Sequence, residues 1–371
     1  MLKNVKLKEL GEIFTGSTPS KKNKEFYNSE DIMFIKPDIL DFDIVNIGVS
    51  NEYISEKARE KARIIPANSL LVSCIGSIGK LGINEKEVAF NQQINAIVPN
   101  NKIKSSRYLA YLLKYNQKKL ESIANAPVVP IINKTQFSEF EVLIHENLNF
   151  QEQITQILDK SKEIIEKRKE QIQFLDKLVK SKFIEMFGDP FNDEKGYGIK
   201  KLGEVTEVNP KKSEIKELDK DLIVSFVPMD RVSEKGEFAP ELSKPISEVY
   251  NGFTYFKDND VLFAKITPCM ENGKGAIAIN LSNGIGFGST EFHVLRPIKD
   301  NSNPYWIYHL TTLIEFRRLA ERKMTGSAGQ KRVPTDFLNN VEVVIPPIEL
   351  QNQFADFAKQ VDKLKFILHL V

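Results

Sequence analysis

The sequence predicts an α+β fold in which two similar mixed α/β domains are separated by long coiled-coil helices in a pseudo-twofold arrangement. One observation is a duplication, because short motifs of the first half return in the same order 191 to 201 residues later. The other is a run without Gly or Pro, from about Leu148 to Phe187, that carries a heptad pattern. Solenoid repeats have periods of about 20 to 50 residues, so the longer period indicates two whole domains.

Four pairs of motifs carry the duplication. They are Leu10-Gly11-Glu12 with Leu202-Gly203-Glu204, Asn68–Leu71 with Asn259–Leu262, Glu141–Ile144 with Glu342–Ile345, and Gln151–Gln153 with Gln351–Gln353. Their order is kept while their spacing drifts only slightly, which indicates a tandem duplication with small insertions. We therefore expect each copy to bind a similar ligand.

Composition excludes several classes of protein. A chain of 371 residues is too long for one ordinary core, and 41% hydrophobic with 27% charged residues is typical of soluble globular proteins. The sequence has no apolar run of about 18 residues and no secretory signal, so we expect no membrane association and a cytoplasmic location. Two cysteines and four histidines predict neither a disulfide framework nor a metal site. The net charge of +2 excludes a uniformly basic surface but not a basic face.

Each copy is expected to begin with mostly extended chain. Short apolar runs bounded by Gly, Pro and Asn predict strands, such as Ile32–Ile35, Leu70–Ile75 and Ile94–Val98, then Leu222–Val224, Val261–Ala264 and Phe292–Leu295. One amphipathic helix follows in each copy, at Ser106–Ile123 and Pro304–Lys323, and a last strand at Phe140–Ile144 and Val341–Ile345. The predicted domains are residues 1–146 and 189–346, followed by helical segments at 147–188 and 347–371.

The heptad pattern predicts that the two helical segments pair. The seam positions are Ile154, Ile157, Ile164, Leu175 and Leu178 in the central segment, and Phe354, Phe357, Val361, Leu364 and Leu368 in the last one. A helix of this length would span ~60 Å, whereas a domain of this size has a radius of gyration of only ~14 to 15 Å. We expect antiparallel pairing of the helices, the alternative being that each packs lengthwise on its own domain.

Motifs for catalysis are missing from the sequence. The segment Gly76–Lys80 has a lysine without the Walker A spacing, and no amphipathic helix follows the glycine-rich Gly284–Gly288. The segment Asn303–Trp306 lacks the second proline of an amino-methyltransferase turn. We therefore expect no catalytic residue, no metal site and no bound cofactor in this chain.

Polar loops at matching positions of the two copies are the candidate binding sites, although each could be an ordinary solvated turn. The candidate residues are Ser73, Ser77, Lys80, Asn91, Gln92, Gln93, Lys265, Thr267, Glu271, Asn272, Lys274, Ser289, Thr290, Gln330, Lys331 and Arg332. The cations would contact backbone phosphates and give salt-dependent affinity. Polar side chains such as Asn91, Gln92 and Thr267 would discriminate bases.

In this order and with this duplication, the motifs resemble the DNA-specificity subunit of type I restriction-modification systems over essentially the whole chain. The features that carry the resemblance are the Leu-Gly-Glu motifs, the loops Cys74–Lys80 and Ile266–Lys274, and the segments Met186–Pro190 and Val344–Gln351. The resemblance implies two target-recognition domains, each of which reads one half of a split double-stranded DNA site. It also implies two modification (methyltransferase) subunits that bring adenosylmethionine, and restriction subunits that bring ATP and Mg, whereas this chain has no chemistry of its own.

The last helical segment departs from the family pattern, because it has about 24 residues where the family usually has a long helix. We expect it to leave the seam around Leu175–Phe187 without its usual partner. Either that stretch packs on the globular units, or the chain is a truncated or rearranged copy, or another subunit completes the helical bundle. Two other functions remain open at this point. A coiled-coil assembly scaffold with two protein-binding domains would show no salt-sensitive DNA affinity, and a self-contained methyltransferase would have to bind adenosylmethionine.

Overall fold

A computed structural model describes residues 1–124, 129–327 and 329–370. The chain forms two compact units, Met1–Glu166 (unit 1) and Lys167–Val371 (unit 2). The boundary between them falls inside the long helix that the sequence predicts as a separate spacer. The first part of that helix belongs to unit 1 and its last part to unit 2.

Unit 1 contains a five-stranded sheet, a four-stranded sheet and a two-stranded ladder. Its strands are β1 (Leu2–Lys6), β2 (Gly11–Thr15), β3 (Ile32–Ile35), β4 (Ile44–Ile47), β5 (Tyr53–Ile54), β6 (Ile64–Ile65), β7 (Leu70–Ser73), β8 (Leu81–Asn84), β9 (Val88–Phe90), β10 (Ile94–Pro99) and β11 (Glu141–His145). Its helices are α1 (Ser106–Tyr115), α2 (Gln117–Ser122), α3 (Lys134–Glu139) and the first part of α4 (Leu148–Phe187). The strand orders are β2-β10-β7-β8-β4, β5-β3-β9-β6 and β1-β11.

Alternating apolar residues place the five-stranded sheet between two cores. On β7, Leu70 packs in the core shared with the helices, whereas Leu71 packs in the core shared with the four-stranded sheet. On β10, Ile97 packs in the core shared with the helices, and Ala96 packs in the core shared with the four-stranded sheet. Since successive side chains of a strand point to opposite faces, strands that are buried on both sides need the continuous apolar runs seen in the sequence.

Unit 2 repeats this architecture. Its strands are β12 (Ile199–Lys201), β13 (Thr206–Val208), β14 (Ile223–Val227), β15 (Ser243–Pro245), β16 (Thr254–Lys257), β17 (Val261–Ala264), β18 (Gly275–Ile277), β19 (Ile285–Gly288), β20 (Phe292–Pro297) and β21 (Glu342–Val344). Its further helices are α5 (Leu202–Val205), α6 (Ile246–Val249), α7 (Pro304–Thr312), α8 (Ile314–Lys323), α9 (Thr335–Asn340) and α10 (Ile348–Leu370). The orders β15-β14-β19-β16 and β12-β21 match those of unit 1, with the parallel pair β14–β19 corresponding to β3–β9. The order β13-β20-β17-β18 matches β2-β10-β7-β8, but among the described strands of unit 2 no counterpart of β4 pairs with β18.

These observations confirm the predicted fold class of two similar α/β domains with a long helix between them. The arrangement of the units about a pseudo-twofold axis stays a prediction. None of the described helices combines the length and apolar character that a membrane span requires.

Each predicted amphipathic helix is two helices in the structure. The first breaks at Asn116, whose side chain donates to the carbonyl of Leu112 (2.9 Å) and so competes with the helical backbone pattern. The second breaks at Leu313, which has an extended backbone (ψ 141°). It follows Thr311 and Thr312, two β-branched residues with weak helix propensity. Neither break is marked by Gly or Pro, so the expectation of a single helix was wrong in both copies.

The structure also corrects one of the four motif pairs. In unit 1 the turn Leu7–Glu9 is closed by a hydrogen bond from the Lys6 amide to Glu9 Oε1 (3.0 Å), and the Leu7 amide donates to Phe140 (3.0 Å). In unit 2 the Lys201 amide donates to Glu204 Oε1 (3.0 Å) and the Leu202 amide to Val341 (2.9 Å). The structural counterpart of Leu202–Glu204 is therefore Leu7–Glu9, and the Leu10–Glu12 match was wrong.

The other three motif pairs occupy equivalent positions. Asn68 and Asn259 both have positive φ angles (60° and 70°) just before β7 and β17. The strands β11 and β21 both begin at the matched glutamates. Gln151 and Gln351 are both fully buried near the start of a long helix. The duplication therefore extends to backbone conformation and buried polar contacts.

Helix α4 has the predicted bounds and ends at Gly188, which has a φ of 77°. Within unit 2 its last part packs antiparallel to α10. The ring centroids of Phe183 and Phe187 lie 5.3 Å and 5.4 Å from that of Phe354, near the start of α10. Farther along, Lys365 Nζ lies 2.7 Å from Asp176 Oδ1. Antiparallel pairing of the two helices is therefore confirmed within unit 2.

The predicted seam is only partly covered. In unit 2, Phe354 and Val361 are buried, and Leu175 and Phe357 pack against the same core. Leu178 and Leu364 are 48% and 51% exposed. On α4, Val179 and Phe183 pack in the core in place of Leu178. Leu368 is partly buried.

The seam of α4 in unit 1 is covered only at its beginning. Ile154 packs on the core of unit 1, whereas Ile157 and Ile164 are 64% and 41% exposed. The expectation that Leu175–Phe187 lacks a partner was wrong, because antiparallel pairing sets the start of α10 beside the end of α4. The exposed large apolar residues of α4 in unit 1 are Leu148, Phe150, Ile157, Leu158, Ile164 and Ile165.

Candidate nucleic-acid interface

In unit 1, backbone hydrogen bonds gather four segments at one end of β7 and β10. The Cys74 amide donates to the carbonyl of Gln93 (2.8 Å) and the Ser17 amide to that of Phe90 (2.9 Å). The Ile132 amide donates to Cys74 (2.9 Å). We call residues 16–20, 74–80, 91–93 and 129–133 loop cluster 1. It unites the two candidate loops that the sequence predicts for this copy.

In unit 2 the corresponding segments gather at the end of β17. The Lys265 amide donates to Glu291 (2.9 Å), and the Val333 amide donates back to Lys265 (2.9 Å). The Thr267 amide donates to Lys331 (3.0 Å). We call residues 209–213, 265–274, 289–293, 325–327 and 329–333 loop cluster 2. The structure thus brings the candidate residues of unit 2 together, as it does those of unit 1.

Two candidates of unit 1 lie inside the protein. Ser73 is fully buried, donates to the carbonyl of Ser77 and accepts from the Lys80 amide (2.9 Å). Asn91 is 7% exposed and makes two hydrogen bonds with Gln93. Both side chains shape their loops. Sequence alone could not separate them from surface residues, because a buried polar side chain in a loop has no distinctive pattern.

The remaining candidates of loop cluster 1 reach the surface to different degrees. Ser77 and Gln92 are exposed, and Gln92 Oε1 accepts a hydrogen bond from Thr18 Oγ1 (2.6 Å). Gln93 and Lys80 are partly buried, and Lys80 Nζ lies 5.6 Å from the centroid of the Phe42 ring. Ser77, Lys80 and Gln92 therefore present polar groups on one loop cluster.

The loop between β17 and β18 is held by its own polar side chains. Thr267 Oγ1 donates to Glu271 Oε1 (2.8 Å), and Lys274 Nζ donates to the carbonyl of Met229 (3.2 Å). Asn272 is exposed, and its Nδ2 donates to Glu234 Oε1 (2.8 Å). Much of the hydrogen-bonding capacity predicted to read DNA is thus used to fix the loop.

The buried side chain of Arg317 also stabilises this loop, although sequence reasoning missed it. The residue is 5% exposed, and its guanidinium donates to the carbonyls of Thr311 (2.5 Å), Met270 (2.9 Å) and Gly273 (3.3 Å). Burial lowers the pKa of Arg317 to about 10. The available signal was an arginine between Phe316 and Ala320 on the apolar face of a helix.

Arg332 and Glu291 form a bidentate ion pair within loop cluster 2. Arg332 Nε and Nη2 lie 2.9 Å and 2.8 Å from the two carboxylate oxygens of Glu291, and this pair holds the pKa of Glu291 below its usual range. Ser289 is partly buried and accepts from the Glu291 amide (3.2 Å). The candidates Thr290, Gln330 and Lys331 are exposed on the same cluster.

Sequence reasoning also missed a lysine pair in each unit. Pro19 precedes Lys21-Lys22 at the edge of loop cluster 1, and Pro210 precedes Lys211-Lys212 in loop cluster 2. The signal was a proline followed by two lysines in both copies. Paired ammonium groups on a loop are suited to bind phosphate. Among the described residues, no cluster of His, Cys, Asp and Glu side chains could hold a metal ion.

Comparison with known proteins gives a family match to both repeats. The family model described as "Type I restriction modification DNA specificity domain" matches residues 2–173 and 194–369. The Type I restriction enzyme EcoAI specificity subunit of Escherichia coli is 40% identical over 165 residues, which is 44% of this chain. The alignment spans only 28% of the length of that relative.

Two solved structures share the fold along almost the whole chain. One is the crystal structure of a type I restriction-modification system S subunit from M. genitalium, with a TM-score of 0.56, 14% identity, and coverage of 100% of this chain and 91% of that one. The other comes from work on complex assembly and conformational transition of the type I R-M system. It has a TM-score of 0.59 and 14% identity, and it covers 99% and 93% of the two chains.

Proposed function

This chain belongs to the type I restriction-modification DNA-specificity family, and we propose that it reads a bipartite double-stranded DNA target as a specificity subunit. In this proposal unit 1 reads one half of the target and unit 2 the other. The observation that carries the proposal is the presence of matching loop clusters at equivalent strand ends of the two units. A scaffold that binds only proteins is not favoured, because both repeats match the family's DNA-specificity model.

The exposed polar residues of the two loop clusters are the proposed DNA contacts. Cations on these loops, such as Lys80 and Lys331, would bind backbone phosphates and set the register on the duplex. Exposed polar side chains, such as Gln92 and Gln330, would contact base edges, with glutamine suited to adenine. Ser73 and Asn91 would act indirectly by fixing loop shape, since both are buried.

Helix α4 is the proposed spacer between the two half-sites. A continuous helix of 40 residues has a length of ~60 Å, and it cannot be compressed without breaking hydrogen bonds. A rigid spacer would fix the number of base pairs between the half-sites. Two readers on one face of a duplex favour separations near one helical turn, ~34 Å, or its multiples.

The proposed partners carry the chemistry. Two modification (methyltransferase) subunits would supply adenosylmethionine and the methyl-transfer site, and restriction subunits would supply ATP hydrolysis with Mg. This chain would act in the cytoplasm as the non-catalytic subunit of a complex that methylates adenine and cleaves DNA. Its own residues would select the site at which the partners act.

Methylation-site mapping tests this function. The chain is expressed with its modification subunit in cells that lack other adenine methyltransferases, and cells with the modification subunit alone are the control. We expect a two-part methylated motif with a constant unread gap only when this chain is present. An uninterrupted motif, or the same motif in the control cells, would contradict the proposal.

A further inference from the structure

Unit 2 contains a cavity of about 580 Å³ beside loop cluster 2. It lies between residues 209–213, the start of β16, the ends of β17 and β20 nearest that cluster, and the start of α9. Three lysines line it, namely Lys211, Lys212 and Lys265. Pockets for small ligands or for parts of larger ones have volumes of ~300 to 1,000 Å³. The cavity is therefore large enough for a nucleotide-sized group.

Of these three lysines, Lys265 combines partial burial with the lack of a bonded partner in the described part of the chain, whereas Lys211 is exposed and Lys212 is hydrogen-bonded. Lys265 is partly buried, and burial lowers the pKa of its ammonium group. The carboxylate of Glu291 attracts the ammonium group of Lys265 electrostatically, but its oxygens form the bidentate pair with Arg332. Among the described residues Lys265 Nζ has no hydrogen bond or ion pair. A desolvated cation without a counterion is unfavourable, so an anion in the cavity would relieve the cost.

The rest of the cavity wall is partly aromatic. Tyr250 and Phe253 are partly buried, and Lys212 Nζ lies 4.9 Å from the centroid of the Tyr250 ring. Lys212 Nζ also donates to the carbonyl of Tyr250 (2.6 Å), which holds this ammonium at the cavity. Aromatic rings next to cations suit a ligand that joins an anionic group to a ring.

We propose that this cavity is a phosphate site that binds one nucleotide, with the phosphate at Lys265 and the sugar or base against Tyr250 and Phe253. The site is particular to unit 2, since Cys74 occupies the position of Lys265 in unit 1 and is 2% exposed. The phosphate could come from the DNA backbone or from a free nucleotide. The first source rests on the proposed function, whereas the second does not.

The DNA source is tested by the salt dependence of binding. Binding of a labelled duplex is measured across a salt series for the full chain, for Lys265→Met and for Lys211→Gln. The control is Lys363→Met, which removes the same charge from α10 outside the cavity. Each lost phosphate contact should lower the slope of log K against log salt by ~0.9. We expect this loss in the two cavity variants and no change in the control.

The free-nucleotide source is tested by thermal unfolding with inorganic phosphate or deoxyadenosine monophosphate. Without ligand, Lys265→Met should melt at or above the wild-type temperature, because an unpaired desolvated charge has been removed. Stabilisation by phosphate or nucleotide in the wild type and in Lys363→Met, but not in Lys265→Met, would support the site even if the DNA slopes are equal. If Lys265→Met fails to fold, the exposed Lys211→Gln decides both experiments.

Unchanged DNA slopes together with no ligand-dependent stabilisation would overturn the site. A wild-type chain that binds no duplex would contradict the proposed function. The ligand-dependent melting temperatures would then still decide the phosphate site. The two failures are therefore distinguishable.

Discussion

Cys74 follows β7 in unit 1, and Lys265 follows the equivalent strand β17 in unit 2. The two residues make the same backbone hydrogen bonds, but one side chain is small and buried and the other is charged and partly exposed. Both amides donate to the loop before the neighbouring strand, at 2.8 Å and 2.9 Å. Cys74 is buried, and burial raises the pKa of its thiol to about 12. Lys265 is partly exposed and lines a cavity. After duplication, the backbone contacts that build the frame were kept while loop side chains diverged, as two readers of different half-sites would require.

The contacts between each unit and its long helix show the same division into shared and divergent parts. Gln151 Nε2 donates to the carbonyls of Lys102 (3.0 Å) and His145 (2.6 Å), and its Oε1 accepts from the Lys104 amide (2.8 Å). Gln351 makes the same three kinds of bond, to Asn301 (3.3 Å), Pro346 (2.8 Å) and Asn303 (2.9 Å). Three residues later the units differ, with Ile154 in unit 1 and Phe354 in unit 2.

The largest expected effect comes from truncating this divergent pair. Phe354 is fully buried against the rings of Phe183 and Phe187, so Phe354→Ala should destabilise unit 2 by about 3–5 kcal/mol. Ile154 is only partly buried, so Ile154→Ala should cost unit 1 about 1–2 kcal/mol. Urea unfolding measures both. The single tryptophan, Trp306, reports on unit 2, and amide hydrogen exchange reports on unit 1. Equal losses would mean that the two helices are anchored in the same way.

The two buried glutamines should show smaller and nearly equal effects. Gln151→Ala and Gln351→Ala each remove the side-chain partner of a backbone amide and two carbonyls in a partly buried site, which should cost about 1–3 kcal/mol. The same urea and hydrogen-exchange measurements apply. Gln153→Ala, an exposed position on α4, is the matched control and should change stability little. A large effect in only one unit would contradict the equivalence of the two glutamines.

The smallest expected effect concerns a charge that only unit 1 has. Glu139 pairs with Lys6 (2.6 Å) and Lys8 (2.5 Å), and these hydrogen bonds lower the pKa of Glu139 from 4.5 to about 2. At the matching position of unit 2, the neutral Asn340 accepts from Lys201 (3.1 Å). Because the folded pKa of Glu139 is depressed, its contribution is present above pH 4.5 and is lost as pH falls towards 2.

Glu139→Gln should therefore remove a small part of the acid sensitivity of unit 1 and make it resemble unit 2. The measurement is the melting temperature of unit 1 between neutral pH and the acid limit, for the variant and the wild type. Asn340→Asp in unit 2 is the reciprocal variant and should add acid sensitivity there. Identical pH profiles for Glu139→Gln and the wild type would mean that the pairs with Lys6 and Lys8 contribute nothing.

Sequence patterns predicted the elements whose signals are local. Helix α4 was predicted with the correct bounds, because no Gly or Pro interrupts it before Gly188. The strands β3 and β17 were also predicted with the correct bounds from short apolar runs. The breaks at Asn116 and Leu313 were not predicted, since neither Gly nor Pro marks them: a side-chain hydrogen bond accompanies the first break, and two threonines precede the second. The Leu10–Glu12 match misled for a related reason, because hydrogen bonds that cap a turn, and not identical letters, define the equivalent position.

The candidate site was predicted at the level of loops and not of side chains. Matching polar segments indicated which loops belong together, and the structure gathers them within each unit. Whether a polar residue faces solvent depends on distant chain segments, as the burial of Ser73 shows. Leu178 is exposed for the same reason. Its neighbour Val179, and not Leu178, packs in the core that includes residues of α10. The lysine pairs that follow Pro19 and Pro210 could have been found, since both copies carry them, although Ser20 separates the proline from the lysines in unit 1.

The most direct test of two readers joined by a spacer is a change in spacer length. Deleting one heptad, residues 161–167, keeps the apolar register of α4 and shortens it by ~10 Å. Lys160→Gln, which keeps the length, is the control. Methylation-site mapping should show both half-sites unchanged and the gap between them altered, or methylation lost at the original spacing. The original motif with its original gap, methylated at the wild-type level by the shortened chain, would contradict the account.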